Sequence, residues 1–379
     1  MSAPPRVLEL RSVFGTGGGP EKTILHGAAL TRPERAAVTV CYIRDARDAV
    51  FAIGGRAQTA GVDYVEIVER HSFDPAIWPR LRKLVRERRI DIVHAHEYKT
   101  DLLALLLSWR MGTIPLSTVH GWTGHTRREQ LYYAADKRLL RRFPRLIAVS
   151  EDIRRVLIAH GARPDRVTTI LNGIDHRIFR RDPMRRLPER SRLGFAEDDI
   201  VVGAVGRLEP QKRFDLLMDS ASRLQTRWPK ILLAIAGDGS LRAQLQTQAD
   251  SRLGNRCRLL GHCDDVIALH HAFDVFAQSS TYEGTPNAVL EAMALETPLV
   301  ATSSGGTAEI VRQDNDGLVV PIENEPALTD ALAALIADPA AARQRATNAR
   351  RRVETDLSFD TRMEKVERIY EELIATARR

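Results

Sequence analysis

Tyr282-Glu-Gly-Thr-Pro-Asn-Ala-Val-Leu-Glu-Ala-Met293 follows closely on the apolar run Val275-Phe-Ala-Gln278. The run reads as a short buried strand. The segment after Gly284 reads as a helix, with Thr285 as N-cap and Pro286 as its first residue. A strand that turns through glycine into a helix is half of a wound α/β unit. The backbone of Gly284, Thr285, Pro286 and Asn287 marks the helix N-terminus, where an anion is favoured. Glu283 stands in the loop before it, and Glu291 lies more than one turn inside the helix. Phosphate suits amides and cations and hydroxyls suit carboxylates, so this arrangement fits a ligand carrying both. Alone, the spacing also fits one acid favouring the helix dipole and another on the surface.

Outward from this segment, β-branched runs alternate with helix-length amphipathic stretches almost from end to end. That alternation is the signature of wound α/β units with parallel sheets. Seven strands are expected in the first half, from Val7–Leu10 to Val167–Ile170, and six in the second, from Ile200–Gly206 to Gly317–Val320. The periodicity lapses at Arg180-Arg-Asp-Pro-Met-Arg-Arg-Leu-Pro188, which reads as a connector between domains. Two tandem α/β domains imply a cleft, with ligands at the carboxyl ends of the strands. From Phe359 to Leu373 an apolar stripe at helical spacing (Phe359, Met363, Val366, Ile369, Tyr370, Leu373) must pack on something.

With 379 residues, 44% of them hydrophobic, the chain can bury more than one core. Its longest greasy run, Leu102 to Trp109, is far short of a membrane span. Met1-Ser-Ala-Pro-Pro passes straight into Arg6-Val-Leu-Glu-Leu10 without the parts of a secretory signal, which implies a cytoplasmic address. Cys41, Cys257 and Cys263 are too scattered for a disulfide framework or a zinc site and read as reduced thiols. A net charge of +7 suggests anionic substrates, nucleic acid or an anionic membrane. No helix-turn-helix or zinc-finger pattern supports nucleic acid.

Three further strand ends carry candidate chemistry. Gly206-Arg207-Leu-Glu-Pro-Gln-Lys212 sets two cations at the mouth of the second domain's sheet, where a guanidinium fork and an ammonium suit a diphosphate. An Arg-x4-Lys spacing is equally that of a solvated turn. Gly15-Thr-Gly17-Gly18-Gly19 follows the first strand and leaves amides open to phosphate, although it is neither a Walker loop nor a G-x-G-x-x-G fingerprint. His120 ends the strand Leu116–Val119 before Gly121, where it can hydrogen-bond a sugar hydroxyl or a phosphate oxygen, or be a satisfied core histidine. His94 and His96 on the neighbouring strand lack a visible third ligand and read as supporting residues. Asp314-Asn-Asp316 is turn chemistry ahead of Gly317 and is not read as a metal site.

In this order, the pieces resemble glycosyltransferase family 4. They include the glycine loop, His120-Gly121, Val149-Ser150, Asn172-Gly-Ile-Asp175, Gly206-Arg-Leu with Lys212, Ala236-Gly-Asp-Gly239 and Glu283-Gly through Glu291-Ala-Met. Gly305-Gly306 with Glu309-Ile310 and the Asp316-Gly-Leu-Val turn complete the set. The resemblance implies an α/β GT-B architecture, two Rossmann-like domains facing each other across a cleft. The acceptor side would be 1–176, completed by a C-terminal helix in 357–379 that crosses back, and the donor side 177–356. It implies a retaining transfer from a nucleotide diphosphate sugar to an acceptor hydroxyl, in cell-surface polysaccharide or glycolipid synthesis. Arg207 and Lys212 would bind the diphosphate in place of a metal, so no cofactor is expected. Glu283 would hold the donor sugar, Glu291 the ribose, and His120 would lie beside the transferred sugar. Gly17, Gly18, Gly206, Gly284, Thr285, Pro286 and Asn287 would contribute to donor binding.

Two alternatives use the same fold: a nucleotide-sugar epimerase, recognised by turnover of donor alone, and an inactive sugar-nucleotide-binding subunit. The inactive subunit would have lost Glu283 or His120, and this chain keeps both. The stretch Thr126–Phe143 reads as one helix with Leu131, Ala135, Leu139 and Phe143 inward and arginines elsewhere. That pattern suits peripheral docking on an anionic membrane, to reach a glycan or lipid-linked acceptor, as well as a solvated basic face.

Overall fold

The structure, a computed structural model, describes residues 3–15, 17–72, 74–122 and 127–378. It divides into two compact units, one of Met1–Asn172 with Asp360–Arg379 and one of Gly173–Phe359.

In the first unit the strands are β1 (Arg6–Ser12), β2 (Ala37–Asp45), β3 (Tyr64–Glu69), β4 (Ile92–Ala95), β5 (Ile114–Val119), β6 (Arg145–Ala148) and β7 (Val167–Thr169). They pair in parallel in the order β3-β2-β1-β4-β5-β6-β7. The second unit holds β8 (Ile200–Val205), β9 (Ile231–Ala236), β10 (Cys257–Gly261), β11 (Val275–Gln278), β12 (Leu299–Thr302) and β13 (Leu318–Val320), in the order β10-β9-β8-β11-β12-β13. These are the seven and six strands expected from the sequence. Helices cover both faces of such sheets, so a central strand can be apolar from end to end: every residue of Ile231-Leu-Leu-Ala-Ile-Ala236 is buried. In each sheet the order reverses once, between β1 and β4 and between β8 and β11. Loops leaving the carboxyl ends of those strand pairs diverge and leave a crevice for a ligand.

The C-terminal helix Phe359–Ala377 belongs to the first unit. All six residues of its expected stripe are buried. Its buried Glu367 accepts from the Arg32 amide at 3.0 Å and from Arg32 Nε at 3.1 Å, and Arg35 lies 3.3 Å away. Tyr370, fully buried, donates its hydroxyl to Glu9 of β1 at 2.8 Å. The segment 180–188, expected as a connector, is folded into the second unit. Arg181 donates to the His270 and Leu295 carbonyls at 3.1 and 3.3 Å, and a helix Arg186–Leu193 begins within it. The unit boundary lies earlier, at Gly173, where Ile174 pairs with Ser358.

The basic helix runs Arg127–Leu140, and Thr126 lies outside the described residues. Its inward face differs from the expectation. Asp136, Leu140 and Phe143 are buried, whereas Leu131 is 72% exposed and Ala135 is exposed. Asp136 turns inward because Trp122 Nε1 donates to it at 3.1 Å and because it shares a proton with the buried Asp101 carboxyl. Among the described residues no helix is long and apolar enough to cross a membrane.

Candidate active site

In the second unit the loops after β8 and β11 are tied together. Ser279 Oγ donates to the Lys212 carbonyl at 2.7 Å, and the Thr281 amide to the Gln211 carbonyl at 2.8 Å. Lys212 ends a single 3₁₀ turn, Pro210–Lys212, and its aliphatic stem lies over Gly206, where an added Cβ would meet Cε at 3.2 Å. The stem thereby aims its ammonium at Glu283: Nζ donates to Oε1 at 2.6 Å, with the two side chains 18% and 13% exposed. The same oxygen accepts from Ser280 Oγ at 2.7 Å and Gln278 Nε2 at 3.3 Å. The cation assigned to phosphate and the acid assigned to sugar are therefore a hydrogen-bonded ion pair. Arg207, on the same loop as Lys212, is exposed, and among the described residues it forms no ion pair.

Close backbone packing fixes these loops. Gly237, at φ +145°, would place a Cβ 1.8 Å from the Gly206 carbonyl oxygen, and Gly239 would place one 2.6 Å from that of Leu208. The Gly306 amide donates to the Gly284 carbonyl at 2.7 Å. The helix begins at Asn287 with Pro286 at the cap, one residue later than expected, since Pro286 has an extended ψ of 103°. Thr285 and Glu291 are buried. Asp316 is fully buried; Arg312 donates to it at 2.7 and 2.8 Å and Arg352 at 3.1 Å, so guanidinium groups occupy its carboxylate.

In the first unit, the loop after β1 holds Gly17 at φ +74°, where a Cβ would meet Glu21 Cγ at 2.5 Å. Glu21, buried and paired with Arg11, folds back so that its Oε2 accepts from the Gly18 amide at 2.5 Å. The Gly18 amide offered to phosphate by the sequence is thus engaged by a side chain. Beyond β5, His120 Nε2 lies 3.2 Å from His96 Nδ1, and His96 Nε2 is hydrogen-bonded to Glu9. Glu9 was not singled out by sequence reasoning, although an acid inside the apolar strand Val7-Leu-Glu-Leu10 must have a buried partner. It supplies the third group that His94 and His96 lacked, the ligand atoms of all three lying within 4.8 Å of one another. Each of those atoms is engaged in a hydrogen bond with another side chain, so the cluster is a proton-sharing network. Burial alone would raise the Glu9 carboxyl, but His94 and His96 hold it well below the usual carboxylate range. Burial pushes His96 down to about 4 against the pull of Glu9.

Two parallel Rossmann-like units, closed by a C-terminal helix packed on the first, define the GT-B class. The family described as Glycosyltransferase Family 4 matches residues 17–177, and that described as Glycosyl transferases group 1 matches residues 186–352. The chain belongs to glycosyltransferase family 4 and is a retaining glycosyltransferase that draws on nucleotide-sugars. It is 32% identical over 276 residues to the putative glycosyltransferase EpsD of Bacillus subtilis, covering 69% of this chain and 72% of that one. To an Escherichia coli UDP-Gal:alpha-D-GlcNAc-diphosphoundecaprenol alpha-1,3-galactosyltransferase it is 26% identical, covering 78% of each. The structure of Anabaena Alr3699/HepE in complex with UDP-glucose superposes with a TM-score of 0.84 at 21% identity, covering 98% of this chain and 99% of that one.

Proposed function

We propose that this enzyme moves a sugar from a nucleotide diphosphate sugar, UDP-linked by analogy with the Anabaena complex, to the hydroxyl of a glycan or lipid-linked acceptor in cell-surface polysaccharide synthesis. The observation that carries the reading is the Lys212–Glu283 pair at 2.6 Å, joining the loops after β8 and β11 at the reversal point of the second sheet. As the anomeric C–O bond of the donor breaks, negative charge gathers on the departing diphosphate. Arg207 and Lys212 stabilise it without a metal, Lys212 being held in place before reaction by Glu283 and Arg207 being an exposed guanidinium of the same loop. Glu283 fixes the Lys212 ammonium and faces the sugar, Glu291 holds the ribose hydroxyls, and Gly206 and Gly284 to Asn287 let the donor approach the backbone. The acceptor oxygen bonds to the anomeric carbon from the leaving-group face, and its proton passes to a phosphate oxygen. The galactosyltransferase relative, which by name acts on a diphosphoundecaprenol acceptor, favours a lipid-linked acceptor.

A surface of the first unit supports work at an anionic membrane from the cytoplasmic side. The helices Tyr98–Met111 and Arg127–Leu140 pack side by side, Tyr98 stacking on Tyr132 at 5.4 Å. The two helices and the turn after them expose Leu102, Leu106, Leu131 and a 79% exposed Trp109, together with Arg110, which lies over the Trp109 ring, Arg138 and Arg141. Among the described residues no carboxylate pairs with these three arginines, whereas the nearby Arg145, Arg154 and Arg155 are each paired with one. A cavity of about 440 Å³ lined by Trp122, Lys137, Arg138, Arg141 and His160 suits an anionic headgroup. To test the transferase reading, nucleotide-sugars are screened by calorimetry and the binder is incubated with and without diphosphate-lipid acceptors. Transfer with retention supports it, whereas epimerisation of donor alone, or binding without turnover across a broad acceptor set, refutes it.

A further inference from the structure

Glu9 on β1, His94 on β4 with His96 just after it, Thr118 on β5 with His120 just after it, and Tyr370 on the C-terminal helix form one network whose proton positions can be counted. Glu9 Oε1 takes the Tyr370 hydroxyl at 2.8 Å and faces His94 Nδ1 at 3.1 Å, while Oε2 meets His96 Nε2. Tyr370 has one proton, donated to the carboxylate, so its oxygen accepts from His94 Nδ1–H at 2.8 Å. His94 Nε2 is hydrogen-bonded to Thr118 Oγ1 at 2.7 Å. An ionised carboxylate only accepts, so His96 carries its proton on Nε2. Burial keeps His96 neutral at physiological pH, which leaves its Nδ1 without a proton. The group facing that bare nitrogen at 3.2 Å, His120 Nε2, must be the donor.

His120 is also held neutral. Burial lowers its pKa well below the ordinary value, and His96, Arg11, Arg362 and His94 act in the same direction. The surrounding elements contribute both signs: Glu9 and Arg11 from β1, Glu21 on the glycine-loop helix, Glu97 at the cap of the helix Tyr98–Met111, and Arg362 and Tyr370 from the C-terminal helix. With its one proton on Nε2, His120 has a bare Nδ1, and among the described residues nothing is bonded to that atom.

We infer that Glu9 and His96 are positioning residues that lock His120 in the Nε2–H tautomer, so that its Nδ1 accepts a hydrogen bond from a sugar hydroxyl and does not face a phosphate oxygen. A phosphate oxygen is itself an acceptor at neutral pH, so the two atoms would repel. Of the two roles the sequence leaves open for His120, the network selects the hydroxyl. The identity of the ligand rests on the transferase reading; the tautomer does not.

The test is a long-range proton–nitrogen correlation spectrum of the full chain labelled with ¹⁵N-histidine at pH 7, with His120 identified by the loss of its signals in His120→Asn. Expected is a protonated Nε2 and a bare Nδ1, the Nε2–H form exceeding the other by about tenfold, as a directed hydrogen bond in a low-dielectric site provides. A protonated Nδ1, an imidazolium, or the averaged shifts of free imidazole would overturn the inference. His96→Phe keeps the ring volume and removes the acceptor, so His120 should relax towards a mixture; a locked tautomer in that variant refutes the role of His96. Glu9→Gln is informative if it folds, and the wild-type spectrum decides without it. In parallel, His120→Ala should weaken UDP-glucose about tenfold and leave UDP within about twofold. Equal losses for both would overturn the hydroxyl assignment. Observing the tautomer in a chain that transfers no sugar would sink the transferase reading alone.

Discussion

Replacing Gly305 by alanine should damage the candidate site through the backbone, and the size of the damage follows from the structure. Gly305 has φ +52°, and a Cβ there would sit 1.8 Å from the Glu283 carbonyl oxygen, 2.7 Å from the Glu283 carbonyl carbon and 3.1 Å from the Gly284 oxygen. The obstacle is backbone, so relief requires the Glu283 peptide to retreat by roughly an ångström. Such a shift stretches the 2.6 Å bond to Lys212 and the 2.7 Å bond from Ser280. Two costs add. A left-handed alanine costs about 1–2 kcal/mol and overpacking about 1–3 kcal/mol, giving a loss of roughly 2–5 kcal/mol. Gly254→Ala isolates the first cost, because its φ of +54° is nearly the same and nothing lies within 4 Å of the added Cβ. Urea unfolding should therefore show Gly305→Ala at least about 1 kcal/mol less stable than Gly254→Ala. Transfer by Gly305→Ala should fall about a hundredfold, the scale of a one-ångström misplacement, while Gly254→Ala keeps its rate. Equal stabilities and equal rates in the two variants would refute the claim that Gly305 spaces the Glu283 loop.

Glu283→Ala and Arg207→Ala should each lower turnover by at least about a hundredfold, and near-wild-type kinetics in either would remove it from the site. Transfer should survive excess EDTA; loss restored by magnesium or manganese would show that the two cations do not do a metal's work. Burial raises the Asp101 carboxyl well above its usual range and, next to it, raises Asp136 to about 6. A raised carboxyl leaves stability intact below the unfolded value of about 4 and drains it as pH rises through the folded one. Asp101→Asn should accordingly gain stability over wild type, by of order 2 kcal/mol, between pH 5 and pH 8. A pH-independent difference in urea unfolding would contradict this. Co-sedimentation with vesicles of rising anionic-lipid content should weaken with salt and with Arg141→Glu plus Arg142→Glu, and Trp109→Ala should weaken it without altering the salt slope. No binding at low or physiological salt defeats the membrane reading.

The strands were legible because a central parallel strand covered on both faces can be apolar from end to end, as Ile231-Leu-Leu-Ala-Ile-Ala236 is. The loops at their carboxyl ends were legible for the same reason, since strand ends fix where loops begin. What the loops do to one another was not. Lys212 and Glu283 lie 71 residues apart, and their contact depends on the β8–β11 pairing that places the two loops side by side. The Gly18 amide lies in a loop that reads as open to phosphate, yet Glu21, three residues on, closes it.

The helix Arg127–Leu140 shows the physical origin of the remaining errors. Counting Leu131, Ala135, Leu139 and Phe143 as the inward face assumes that the acid at 136 points to water. The inward set is instead Asp136, Leu140 and Phe143, so the helix is turned by about one residue, or roughly 100°, from the expected face. Asp136 can be buried because Asp101 shares its proton and Trp122 donates to it, and neither partner is visible from the helix's own periodicity. Glu9 escapes notice in the same way: an isolated acid in an apolar strand reads as an exception until β4 and the C-terminal helix, 85 and 361 residues away, bring His94 and Tyr370 to it. Hydrophobic patterning assigns a carboxylate to solvent by default, and that default fails where a distant donor has been folded against it. Glu9 and Asp136 each lie under a candidate surface, the first behind His120 and the second beneath Trp122 and the basic helix. The same buried acids that mislead periodicity therefore set the proton on His120 and turn Leu131 outward beside the arginines.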